Sequence, residues 1–297
     1  MKIAITGASG LIGSALSADL SRDGHQVVRL VRGPARSVGE ASWDPVGGHV
    51  DLAGLAGSDA VVHLAGAGVG DRRWSEAYKR EILDSRVRGT TAIAHAVAAL
   101  DPAPAVLVSA SAVGIYGDTG DRAVDETAPR GVGFLADVVE AWEAAAEPAR
   151  AAGIRVVHPR TGLVVARGGG AWKRLLPIFQ LGAGGRLGGG QQYWSFISLT
   201  DEIRALRHLI DHPDLAGPVN LTAPTPVTNA EATRALAHAL HRPAALPVPA
   251  AALKAVLGEF SVEVLGSQRV LPTRLLASGF GFRHPSIEAA LAAELAS

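Results

Sequence analysis

The chain contains no cysteine. That absence excludes disulfides, thiolate catalysis, thiolate zinc sites and cysteine-ligated iron–sulfur clusters together. Nor is there an excess of either charge, since Lys plus Arg and Asp plus Glu number 28 each. Neither nucleic acid nor an anionic membrane is advertised, so the expected partner is a small molecule. Long apolar runs are missing as well; the longest are strand-length, short of the ~20 residues that a spanning helix needs. A strand begins at residue 2 of MKIAITG, with no room before it for a secretory leader, so the cytoplasm is the expected location. What remains is 297 residues, 48% hydrophobic and 19% charged, enough for a large α/β domain and a smaller lobe, as a monomer or homodimer.

The first half alternates short β-branched runs with Ala/Leu-rich helical stretches, the pattern of a doubly wound parallel sheet. Strands are expected at Lys2–Thr6, Gln26–Val31, Ala60–Ala65, Ala105–Ser109 and Arg155–His158, and helices at Leu11–Asp23, Ser75–Leu100 and Phe134–Ala152. From Arg167 to Gln192 the chain is crowded with glycine and reads as a loop-rich crossing between lobes. Helices follow at Asp201–His212 and Asn229–His241, with a strand at Pro218–Leu221. The expected division is a dinucleotide domain over 1–165 and a substrate lobe over 166–297, with some elements after 195 returning to the first domain.

The strongest chemical signal is GASGLIG at 7–13. Gly7, Gly10 and Gly13 follow a strand and open a helix, the context that a dinucleotide loop requires. Gly7 permits the tight turn, Gly10 lets a pyrophosphate approach the main chain, and Gly13 lets the helix pack on the strand. Ser9, Leu11 and Ile12 complete the loop, whose helix start offers N–H groups and a positive dipole end. Strand two ends at Val31 and Arg32, where an NAD protein usually carries an acid; the first acid here is Glu40. Arginine suits a 2′-phosphate, which its planar fork can grip by two oxygens, so NADP(H) is expected. The alternative is a solvated surface arginine.

GxxGxxG, the strand SDAVVHLAG and the segment SASAVGIYG resemble the extended and atypical short-chain dehydrogenases/reductases, the superfamily of nucleotide-sugar epimerases. A closer likeness spans nearly the whole chain. SWDP (42–45), HLAGAG (63–68), RRW (72–74), KREILDSRVRGT (79–90), WEAAA (142–146), RTGLVVARGGG (160–170), NLTAP (220–224) and the terminal GFGF resemble the epimerase-like family that includes YfcH. The resemblance implies further cofactor contacts. Leu64, Ala65 and Gly66 would pass along the adenine ribose and pyrophosphate, with Glu81 and Arg86 beside them on the following helix. Arg160 and Val164 would approach the nicotinamide half. Spacing alone reads Glu81 and Arg86 as a helix-surface ion pair.

Ordinary members of the superfamily use Tyr as acid/base, with Lys four residues later; a phenol of pKa ~10 needs a nearby cation to work near neutrality. Here the corresponding helix offers Leu135 and Val139, or Phe134 and Val138 in the register shifted by one. Neither register supplies a phenol or an amine. Ser111 matches the superfamily serine, and Ser109 is the alternative and a cofactor-contact candidate. Tyr116 is the one phenol nearby, as acid/base or as packing. His63, in a buried strand, reads as a core residue rather than a base, and no metal site is expected. The expectation is an NADP-dependent, epimerase-like oxidoreductase acting on a small polar molecule, against a non-catalytic NADP(H)-binding regulatory protein.

Overall fold

The computed structural model describes residues 1–295. Strands β1 (Lys2–Thr6), β2 (Gln26–Arg32), β3 (Glu40–Asp44), β4 (His49–Val50), β5 (Ala60–His63), β6 (Val106–Ser109), β7 (Ser111–Ala112), β8 (Ala123–Val124) and β9 (Arg155–Thr161) belong to the first part of the chain. Later come β10 (Leu163–Val165), β11 (Tyr193–Trp194), β12 (Phe196–Ser198) and β13 (Gly217–Leu221). The main sheet runs β13-β9-β6-β5-β1-β2-β3-β4, parallel except at β3–β4, with β7 also pairing β9. Strand order therefore reverses between β1 and β5, the place where an open α/β sheet leaves a ligand crevice beyond the carboxyl ends of its strands.

Both faces of the sheet are covered, which explains why its strands read as near-continuous apolar runs. Side chains alternate across a strand. Ile3, Ile5, Val62 and Val108 pack on one face with Leu16 and Leu20 of α1 (Leu11–Arg22), whereas Ala4, Val28, Val61 and Leu107 pack on the other. After α2 (Leu52–Leu55), Ile93 and Val97 of α3 (Glu76–Ala98) cover that second face. The expected long helix at 134–152 is two helices, α4 (Phe134–Ala144) and α5 (Glu147–Ala151). Pro148 lies in the first turn of α5, where its missing N–H costs nothing.

The glycine-rich crossing contains a helix that the sequence concealed, α6 (Gly170–Gln180). Glycine flanks it and Pro177 lies inside it. Trp172, Leu176 and Phe179 nevertheless bury one face at helical spacing against Phe196 and Leu236. Next, α7 (Leu199–Asp211) returns to the main sheet, where Leu206 and Leu209 join the first core cluster. Helix α8 (Asn229–Leu240) and the terminal helix Ile287–Leu295 pack with α6 in a separate core. Strands β3 and β4 also escaped the sequence, although Ala41 and Trp43 alternate inward as a half-buried strand should.

Candidate cofactor and active site

The glycine loop leaves β1 and enters α1 through three glycines of different necessity. Gly7 has φ +66°, and a Cβ there would lie 2.9 Å from the Leu64 carbonyl carbon and 3.0 Å from the Ala65 nitrogen. A Cβ on Gly13 would stand 2.2 Å from the Gly7 oxygen, so close packing of helix on strand demands glycine there. Gly10 is exposed, and its Cβ would meet only the Gly7 oxygen, at 3.2 Å. Gly10 is also the residue before α1, whose start carries no side-chain cap and no acid in its first turn. The N–H groups around Leu11 and Ile12 and the positive dipole end are thus left available to an anion. Ser9 is exposed beside them.

At the neighbouring strand end, Val31 is half-buried and Arg32 exposed. No carboxylate pairs with Arg32 among the described residues. Glu40, the nearest acid along the chain, is committed elsewhere: it accepts from the Arg36 amide at 2.8 Å and pairs with Arg29 at 3.0 Å. The Arg36 amide leads the causes that hold its carboxyl below the usual range. Positive charge therefore stands uncompensated where a 2′-phosphate would be read.

Across the crevice, the amides of Leu64 and Ala65 donate to the Thr6 hydroxyl at 3.0 and 3.2 Å. Beyond them Gly66 adjoins Arg86, half-buried on α3. Arg86 donates to the carbonyls of Ala67 and Ile82 at 2.9 and 3.1 Å and lies over the Trp142 ring at 4.9 Å. Burial pushes this guanidinium down to about 10. Glu81 is exposed and faces Arg72 at 3.5 Å, so it is not the partner of Arg86; five residues turn a helix by roughly 140°. Over the glycine loop, Gly169 comes against Leu11, leaving only 2.9 Å for a Cβ. Val164 packs on the first core cluster nearby.

The other end of the cleft is a closed polar network. Ser111 donates to Glu143 at 2.6 Å, and Arg160 holds the same carboxylate with both Nε and Nη2, at 2.8 and 2.9 Å. Arg160 Nη1 donates to the Tyr116 hydroxyl at 2.9 Å, which donates to Asn220 Oδ1 at 2.8 Å. Asn220 in turn donates to the Leu271 carbonyl. Burial raises the Glu143 carboxyl, but the Arg160 hydrogen bonds and charge outweigh it and keep the group below the usual range. Burial likewise raises the Tyr116 phenol, with Arg160 opposing. Tyr116 is 3% exposed and its hydroxyl is engaged on both sides. Ser109 is buried without a partner for its hydroxyl.

Leu135 and Val139 turn toward Gly114, whose Cβ would lie 3.3 Å from Leu135, while Glu143 continues the same helix face to Ser111. Val138 lies in the cluster of Trp74, Tyr78 and Ile82, against which Leu135 also packs. Neither Glu143 nor Asn220 stands out from the sequence as a functional residue. The WEAAA and NLTAP segments held both, but nothing local marks them as partners. His208 in the last turn of α7 and His212 just beyond its end stack at 3.5 Å, and each engages a ring nitrogen within the protein. No cluster of three His, Asp or Glu able to hold a metal occurs among the described residues. None of the described helices is long and apolar enough to cross a membrane.

Comparison with known proteins agrees with this architecture. Residues 3–221 match the NAD dependent epimerase/dehydratase family, and residues 248–294 match a domain of unknown function. An epimerase family protein of Mycobacterium tuberculosis is 48% identical over 290 residues, 97% of this chain and 96% of that protein. The human epimerase family protein SDR39U1 is 35% identical over 98% of each chain. A crystal structure of its isoform 2 with NADPH superposes with a TM-score of 0.89 at 32% identity, covering both chains entirely. A nucleoside-diphosphate sugar epimerase from Corynebacterium glutamicum reaches 0.81 at 36% identity, over 99% of this chain and 58% of that one. The chain belongs to the NAD dependent epimerase/dehydratase family, as an atypical short-chain dehydrogenase/reductase.

Proposed function

We propose that this protein binds NADP(H) on the Gly7–Gly13 loop and acts as an epimerase-like oxidoreductase on a small polar molecule. The observation that carries the reading is the uncapped start of α1 beside an Arg32 with no carboxylate partner. The NADPH in the human relative's crystal structure supports the choice of cofactor. When bound, NADP(H) would supply the hydride chemistry. The protein's share is binding, orientation and proton handling. Gly10 admits the pyrophosphate, Arg32 holds the 2′-phosphate, and Arg86 stands where the Leu64–Gly66 turn meets the cofactor. Arg160 and Val164 flank the nicotinamide half, and Leu135 and Val139 wall it with apolar surface.

Ser111 is the group proposed to touch substrate. Its one proton is donated in a hydrogen bond to Glu143, a carboxylate held ionised by Arg160, so its lone pairs can accept from a substrate hydroxyl. A proton leaving that hydroxyl passes to Ser111 as the serine proton passes to Glu143. Tyr116 acts through Arg160, as a positioning residue. If a substrate is found, Ser111→Ala should lower turnover about ten-fold or more, and Leu135→Ala only modestly.

A second reading has its own support: Ser111, Tyr116, Glu143 and Arg160 are all engaged with one another within the protein, as suits an NADP(H)-binding regulatory protein that does no chemistry. Titrating NADPH into the wild type and then supplying a panel of hydroxyl and carbonyl compounds separates the two. Turnover sustains the enzyme; tight binding without turnover across the panel favours the regulator. No binding defeats both.

A further inference from the structure

We propose that His63 is a positioning residue for the cofactor crevice, a neutral imidazole that fixes Thr6 and, through it, the Leu64–Ala65 turn against Gly7. The proposal rests on the reading of the glycine loop as the NADP(H) site. Thr6 and His63 are register partners at the ends of β1 and β5, the two strands that flank the crevice. Both are 0% exposed. The Thr6 oxygen already accepts from the Leu64 and Ala65 amides, which occupies both its lone pairs. Its single proton must therefore go to His63 Nδ1, 2.7 Å away.

That assignment fixes the tautomer. Nδ1 is the acceptor and Nε2 carries the proton. An added proton on Nδ1 would face an oxygen that accepts twice already, so one of the two amides would be released. The surroundings offer the charged form no compensation: Trp43 of β3 stands edge-on at 5.7 Å, and a Cβ on Gly89 of α3 would lie 3.6 Å from Nε2. No acid pairs with the ring among the described residues, and burial alone holds it down to about 4.

The turn that Thr6 holds is the surface on which Gly7 rests. A Cβ on Gly7 would lie 2.9 to 3.0 Å from the main chain of that turn, so only glycine packs against it here. A shift of the Leu64–Ala65 main chain toward the loop would press on Gly7, and through it on the first turn of α1. His63 thus acts on cofactor affinity through Thr6 and touches no reacting atom.

The test is NADPH affinity, followed by fluorescence well below each variant's own melting temperature. His63→Leu removes the acceptor and should weaken NADPH about ten-fold, the cost of stranding one buried donor. His63→Asn restores an acceptor near the position of Nδ1 and should recover most of that loss. Thr6→Val should weaken binding as His63→Leu does, and the double variant should be no worse than either single one. Wild-type affinity in His63→Leu, or an Asn variant no better than Leu, would reduce His63 to a core filler and overturn the proposal. Should the variants not fold, the ¹⁵N shifts of the wild-type ring decide it: an unprotonated Nδ1 is expected, and a proton on Nδ1 overturns the assignment. A Gly10→Val variant that binds NADPH normally would instead show that the loop itself was misread.

Discussion

The two ends of the cleft solve opposite problems with the same kind of residue. At the dinucleotide end a cation is left over: Arg32 is exposed without an acid, above a helix start without a cap. At the proposed nicotinamide end the cation is consumed: Arg160 is bidentate on Glu143, which also accepts a hydrogen bond from Ser111. An arginine kept without a partner invites a ligand anion. One buried in a saturated network holds neighbouring side chains in place and has little left to offer a ligand. The contrast supports the proposed cofactor site more firmly than any proposed chemistry.

The largest effect that would break this contrast lies in the closed network. Glu143→Ala leaves the buried guanidinium of Arg160 without its carboxylate and should cost about 3–5 kcal/mol of stability, read by urea unfolding. A loss under about 1 kcal/mol, the value of a surface pair, would mean that water enters the nicotinamide end freely. Gly10→Val comes next. A Cβ there would meet only the Gly7 oxygen, at 3.2 Å, so the fold should persist after a small shift while NADPH affinity falls by about two orders of magnitude, because the side chain fills the approach to the helix start. Unchanged affinity would move the cofactor off this loop. Arg32→Ala should cost ~1.5–3 kcal/mol for NADP(H) and little for NAD(H).

Smaller effects come from the two groups whose buried forms are neutral. His63 sits at about 4 when folded against an ordinary 6.5, so the unfolded chain takes the proton first and stability falls as pH drops from 6.5 through 4. Glu202, on α7 with Thr161 donating to one oxygen and no partner for the other, is pushed up to about 8 by burial. Its contribution runs the other way, complete below 4.5 and lost as pH rises through 8. Each slope approaches ~1.4 kcal/mol per pH unit at most. His63→Asn should flatten the acid limb and Glu202→Gln the alkaline one; limbs that survive both substitutions would place the titration elsewhere.

How much of this was legible in the sequence follows from the range of the interactions. The glycine loop and Arg32 are written in contiguous residues, because a tight turn, a helix start and a strand end are local structures. The closed network joins Ser111, Glu143, Arg160 and Asn220, with separations of 32, 17 and 60 residues along the chain, and no period or spacing links them. Ser111, Tyr116 and Arg160 could be singled out, but not the fact that they engage one another. Helix α6 was hidden because its glycine neighbours and Pro177 read as loop while its buried face rests on partners from α8. The break between α4 and α5 was marked by Pro148, which the Ala-rich run around it obscured.

The account stands most directly on one comparison, the affinity of the wild-type protein for NADPH and for NADH at equal ionic strength. Arg32 facing an uncompensated site predicts NADPH tighter by about ten-fold or more. Equal affinity, or tighter NADH, would show that the exposed arginine is only a solvated surface residue and would contradict the open cofactor end.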